Sequence, residues 1–178
     1  MTLTLPPAGS IGLVHVEGIQ GGLIRLGQFL DGQGFEDYEH AFILETNTDL
    51  ASATVIEAEP GGVRRSFLNE YHGRKVLWLP CPPQHSVSVV AQAQFYLGRP
   101  YSDVDYVDIA AHHLGLPVAK VLQKIVEHDG HVICSMMCDQ AALCGNWILF
   151  PDGEWPGYVT PGTLARLAPA GAVPELLT

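Results

Sequence analysis

The chain has 178 residues, of which 47% are hydrophobic and 16% charged, the length and composition of one compact domain with a sizeable core rather than of a disordered segment. Nineteen acidic against nine basic side chains give a formal charge of −10, which repels phosphate backbones and anionic lipid, and no apolar run is long enough to span a bilayer. Nucleic acid and a membrane span are therefore excluded from the expectation.

The first half reads as sheet. Residues 11–16 form a short buried strand in which His15 alternates with apolar neighbours and is taken as structural, and 23–30, which includes Gln28, is a second apolar element whose type the pattern leaves open. A Gly- and Asp-rich loop over 31–37 delivers the chain into a strand at 38–45, so His40 stands at the head of a strand behind a loop, a place from which a side chain reaches a cleft while being firmly held. After a polar turn, a strand over 53–58 is expected to pair antiparallel with it. Period-two alternation puts His40, Phe42 and Leu44 on one face and Val55 and Glu57 on one face of the partner, which makes His40 and Glu57 neighbours near the open end of the hairpin. Pro60-Gly61-Gly62 ends that strand, a short helical turn is expected within 63–71, and a strand over 75–79 is stopped by Pro80-Cys81-Pro82-Pro83.

The second half reads as helix. Ser86 is the expected N-cap of a helix over 87–97, Asp103 caps a further helix that runs to Leu114, and Pro117 starts an amphipathic one carrying Val118, Val121, Leu122, Ile125 and Val126. A turn over 127–131 precedes a helix starting at Cys134, whose buried stripe is predicted to be Met137, Ala141 and Cys144, with Asp139 and Gln140 facing away. Thr160 as cap and Pro161 in the first turn predict one last short helix. No repeat or linker divides the chain, so residues 1–178 are expected to form a single α+β domain.

Chemistry concentrates at Cys134. A thiol at a helix start feels the positive end of the dipole and the unpaired N–H groups of the first turn, both of which favour the thiolate. Of the four cysteines, Cys134, Cys138 and Cys144 fall within one helical segment, where the geometry is awkward for a disulfide, so free thiols are expected. A rival reading is metal binding, because His128, His131, Cys134 and Cys138 are spaced by three, three and four residues. That run lacks the separated ligand pairs of zinc modules and would consume Cys134; no metal or cofactor is expected.

Several short motifs stand in an informative order: Tyr38-Glu39-His40, Val55-Ile56-Glu57-Ala58, Gly62-Val63, Leu97-Gly98-Arg99-Pro100-Tyr101, Ile133-Cys134-Ser135 and Thr160-Pro161-Gly162-Thr163-Leu164. Together they resemble the circularly permuted branch of the NlpC-type papain-like cysteine hydrolases, in which the His strand precedes the Cys helix. The resemblance implies a permuted papain-like fold, an antiparallel sheet packed against the helix that carries the nucleophile. It further implies Cys134 as nucleophile, His40 as base, and Glu57 as the group that orients the imidazole, with Tyr38, Ser135 and Gln28 as substrate-binding candidates. Ile133, Met136 and Ala41 depart from residues common in that family and touch the expected pocket walls.

What the resemblance implies in activity is cleavage of an amide through a thioester acyl-enzyme, with a cell-wall peptide as substrate and a bacterial or phage setting. Family members that move acyl groups make a lipid-directed acyltransferase or thioesterase the alternative, and a virion component that kept the fold without activity a third reading. The opening residues Met1 to Pro7 lack a basic region followed by an apolar one, so no secretory signal is read and a cytoplasmic or virion-associated location is expected. The expected partner is a small peptide or acyl substrate; the sequence does not give an oligomeric state.

Overall fold

The computed structural model describes residues 4–15, 38–101, 132–151 and 159–178. The elements expected over 23–30, 103–114 and 117–126, and the histidines at 128 and 131, lie outside the described residues. Within them the chain is α+β, and six strands form one antiparallel sheet: β1 (Ile11–Val14), β2 (His40–Leu44), β3 (Thr54–Glu59), β4 (Gly62–Phe67), β5 (Lys75–Leu79) and β6 (Glu175–Leu176), in the order β4-β3-β2-β1-β5-β6. Three helices accompany them: α1 (Ser86–Phe95), α2 (Cys134–Cys144) and α3 (Pro161–Ala165).

β1 and β2 are buried along their whole length, because they lie inside the sheet with apolar groups on both faces. Alternation sorts the side chains into two cores. Ile11, Leu13, Ala41, Ile43, Ile56, Leu77 and Leu79 pack with Val89 and Ala93 of α1 and with Met137, Cys138 and Ala141 of α2. Val14, Phe42, Leu44, Val55, Val76 and Trp78 pack on the other side with Leu68, Tyr71 and Leu177. Each such aliphatic or aromatic side chain stabilises the fold by roughly 1.5–3 kcal/mol on burial. Gly12 makes the second core possible: a Cβ at that position would stand 2.4 Å from the Phe42 ring and 3.0 Å from that of Trp78.

Several local expectations are corrected. Residues 62–67 form a strand the pattern does not show, because the β3–β4 hairpin folds about Pro60-Gly61 with Glu59 opposite Gly62; the helical turn expected within 63–71 is the 3₁₀ turn Leu68–Tyr71 that follows it. Gly62 takes φ +122°, and a Cβ there would lie 2.8 Å from the Arg99 carbonyl oxygen, so this corner of the hairpin needs glycine. Ser86 does not cap α1. His85 is the N-cap residue, and the Ser86 hydroxyl instead donates to the Ala8 carbonyl at 2.6 Å, joining α1 to the N-terminal segment. In α2, Asp139 is buried and Cys144 exposed, the reverse of the expected stripe, whereas Met137 and Ala141 are buried as the spacing predicts. Thr160 caps α3 as expected, its hydroxyl accepting from Thr163 N at 3.0 Å with Pro161 in the first turn. None of the four cysteines is in a disulfide.

Candidate active site

Cys134 is put in place by the backbone on either side of it. Tyr101 and Val132 form an isolated parallel bridge, with Val132 N–H donating to the Pro100 carbonyl at 3.1 Å. Ile133 follows in extended conformation as the N-cap residue, and α2 begins at Cys134, which is 1% exposed. An isoleucine has no oxygen with which to cap, so no N-cap side chain takes up the first-turn N–H groups, and the positive end of the helix faces the thiol. From the next position Ser135 donates to the Val159 carbonyl at 2.6 Å and is wholly buried. Its hydroxyl thereby ties α2 to the segment leading into α3.

His40 is the first residue of β2, opposite Val14 of β1. Its position at the strand's end lets one imidazole engage partners from both layers: a side-chain hydrogen bond joins it to Cys134 of α2, and its Nε2 lies 3.0 Å from Glu57 Oε2. With Nε2 on the carboxylate, Nδ1 is the nitrogen left for the thiol. Both His40 and Glu57 are buried.

Glu57 sits on β3 across from Phe42 and is the hub of the site. Ser66 Oγ donates to Oε1, Tyr71 Oη donates to Oε2, and Arg64 Nη2 stands 3.0 Å from Oε1. The Tyr71 ring stacks on Phe42 at 4.8 Å between centroids and lies 6.2 Å from the imidazole, 21° from parallel. Arg64 also reaches Glu59 at 3.0 Å and Glu70 at 3.1 Å, so one half-exposed guanidinium serves three carboxylates.

Burial alone pulls the His40 pKa down, but the hydrogen bonds to Cys134 and Glu57, together with the charges of both, carry it up to about 10. Burial pushes the Glu57 carboxyl up; the hydrogen bond and charge of His40 outweigh that, helped by Ser66 and Tyr71, and hold it at about 2. Tyr71 moves well above the usual phenol range, first through burial and then through the charge and hydrogen bond of Glu57, so it remains a donor. At neutral pH the His40 ring is thus an imidazolium held between the Cys134 sulfur and the Glu57 carboxylate. Cys138, one turn along and fully buried, has its thiol raised well above the ordinary value, chiefly by desolvation, and stays protonated.

Ligand atoms of His40, Glu57 and Glu59 lie within 4.8 Å of one another, close enough for one metal ion to touch all three. The donors do not fit that use. Arg64 already places a positive charge on Glu57 and Glu59, and His40 Nε2 already lies on Glu57 Oε2 at 3.0 Å. Glu57 also already accepts from Ser66 and Tyr71.

Of the residues expected at the site, Cys134, His40 and Glu57 are brought together. Tyr38 is half-buried and packs against the larger core, and Gln28 lies outside the described residues. Arg64, Ser66 and Tyr71 were not anticipated. The signal that would have found the first two is the hairpin register: two residues of turn at Pro60-Gly61 place Arg64 opposite Glu57 and Ser66 opposite Val55.

No family model matches the chain, and no curated protein matches it. Among solved structures it is similar to the metalloprotein yiiX from Escherichia coli O157:H7, described as DUF1105, at 19% identity and a TM-score of 0.52, over 77% of this chain and 64% of that one. The chain thus spans under two thirds of that protein's length, and at this identity the likeness concerns the fold alone: an α+β chain built on an antiparallel sheet.

Proposed function

We propose that this protein is a cysteine hydrolase of permuted papain-like fold, using Cys134 as nucleophile, His40 as the acid and base, and Glu57 to orient and charge the imidazole. The observation that carries the reading is that His40 hydrogen-bonds at once to a helix-start thiol and to a buried carboxylate. A thiolate paired with an imidazolium is an acyl-transfer nucleophile already ionised before substrate arrives.

In the proposed cycle the Cys134 sulfur attacks the carbonyl carbon of an amide, and the electron pair of the C=O bond moves to oxygen. The backbone N–H at the start of α2 stabilises that oxyanion, an interaction worth roughly 3 kcal/mol per donor in known enzymes. Collapse of the intermediate breaks the C–N bond as His40 gives its proton to the departing nitrogen, leaving a thioester on Cys134 and a neutral imidazole. His40 then takes a proton from water, whose oxygen attacks the thioester and releases the carboxylic acid and the thiolate. Glu57 keeps its charge throughout, holding the ring and stabilising its cationic form.

The family resemblance of the motifs assigns the substrate class, the amide of a cell-wall peptide. Purified peptidoglycan fragments, lipid amides and thioesters offered to the wild type and to Cys134→Ala test the proposal. New amino groups from the peptide fragments, an acyl adduct on Cys134 by mass spectrometry, and loss of both in the variant are expected. Turnover that survives Cys134→Ala refutes the reading, and turnover of thioesters or lipid amides in place of peptides replaces the substrate class with an acyl-lipid one.

A further inference from the structure

The carboxylate of Glu57 is gripped at both oxygens by side chains outside the triad. Tyr71 reaches Oε2, the same oxygen that faces His40 Nε2, while Ser66 reaches Oε1. Both donors are buried, Tyr71 at 7% exposure and Ser66 at 5%, so water does not compete freely for them. A glutamate on a strand would otherwise swing about its side-chain torsions. Secured at each oxygen, its carboxylate plane has one orientation, and the imidazole bonded to it inherits that orientation. Tyr71 adds a second constraint, since its ring lies near-parallel to the imidazole and is itself backed by Phe42, which is packed in turn against the edge of Trp78.

We propose that Tyr71 and Ser66 are positioning residues of the reaction, clamping Glu57 at both oxygens and so fixing the plane in which His40 presents its second nitrogen to Cys134. This rests on the hydrolase reading above. Neither residue touches the reacting atoms; each acts through Glu57. Removing the Tyr71 hydroxyl while keeping its ring takes one donor from Oε2 and frees the carboxylate to turn, which tilts the imidazole from the sulfur and slows the chemical steps without altering how substrate is held. The carboxylate also loses a hydrogen bond that favours its ionised form, so its proton affinity rises.

The test uses the full chain and the variants Tyr71→Phe, Ser66→Ala and the two combined. Carbon NMR of the Glu57 carboxyl is expected to show its titration, near 2 in the wild type, moving upward by roughly one pH unit in each single variant and further in the double. Alkylation of Cys134 by iodoacetamide, followed by peptide mapping across pH, is expected to lose its acid-side reactivity at correspondingly higher pH. On peptidoglycan fragments kcat is expected to fall by roughly 10- to 100-fold with KM nearly unchanged, as misplacement of a reacting group predicts. A structural role alone would lower the urea midpoint and move none of these.

Wild-type profiles in both folded single variants overturn the clamp, as does a fall in activity expressed through KM. Ser66→Ala removes a single hydroxyl and decides the matter if Tyr71→Phe fails to fold. If the wild type cleaves no peptide, it is the hydrolase reading that fails, while the Glu57 titration and the Cys134 alkylation profile still decide the clamp.

Discussion

His40 Nε2 and Glu57 Oε2 lie 3.0 Å apart on adjacent strands, both buried, the imidazole at the start of β2 and the carboxylate inside β3. Removing one member of such a pair leaves the other charged and desolvated. Glu57→Ala is therefore expected to lower unfolding free energy by about 3–5 kcal/mol, read from urea melts at neutral pH. Glu57→Gln, which keeps the shape, should cost less; equal stability of Glu57→Ala and wild type would show that the pair is not formed.

The two shifted groups set a pH window for stability. Folding raises the His40 pKa from 6.5 to about 10, so its contribution is complete below pH 6.5 and is lost as pH climbs toward 10. Folding lowers that of Glu57 from 4.5 to about 2, so its contribution is complete above pH 4.5 and is lost as pH falls toward 2. The stability difference between wild type and the double variant His40→Ala/Glu57→Gln is expected to peak between about pH 4.5 and 6.5. A difference that keeps growing above pH 8 contradicts the assignment.

Cys134 supplies part of what holds the proton on His40. In Cys134→Ala the ring loses a hydrogen bond and a neighbouring negative charge, and nitrogen NMR of the imidazole is expected to show titration at a pH clearly below 10. An unchanged titration would separate the sulfur from the ring.

Reactivity should follow the same pair. Iodoacetamide at mildly acidic pH is expected to modify Cys134 in a manner that His40→Ala suppresses at least tenfold, about 1.4 kcal/mol in barrier. Exposed Cys144 is expected to react independently of His40, and buried Cys138 to be protected. Modification of Cys134 that is indifferent to His40→Ala would refute the thiolate–imidazolium pair.

A methyl group added at Gly12 meets two aromatic rings. Gly12→Ala is expected to destabilise by roughly 1–3 kcal/mol in thermal or urea melts, since Phe42 and Trp78 must both give way. Because Phe42 also backs Tyr71, the folded fraction of this variant should show a weakened Cys134 alkylation profile.

The three central residues were legible because each is announced by local pattern: a histidine opening a strand, a glutamate in register on the next, a cysteine at a helix start. The Thr160-Pro161 cap was legible for the same reason. What surrounds Glu57 was not. β4 has buried Gly62, Val63 and Ser66 interrupted by exposed Arg64 and Arg65, which breaks the period-two signal and hides the strand that runs up to the expected helical turn. Ser86 has the right chemistry for a cap, yet its hydroxyl bonds to a carbonyl 78 residues earlier, a partner no local pattern reveals. Helical spacing sets Asp139 off the predicted stripe, yet it is buried, because α2 is packed over a wider face than that stripe.

The β3–β4 hairpin also reaches beyond the carboxylate it carries. Val63 N–H donates to the Arg99 carbonyl at 2.8 Å, Gly98 N–H donates back to Val63 at 2.9 Å, and the neighbouring Pro100 carbonyl holds Val132, two residues before the sulfur. One small piece of backbone is thus the common mount for Glu57 and Cys134. A displacement of that segment is therefore expected to carry the carboxylate and the sulfur together, although the two come from distant stretches of chain.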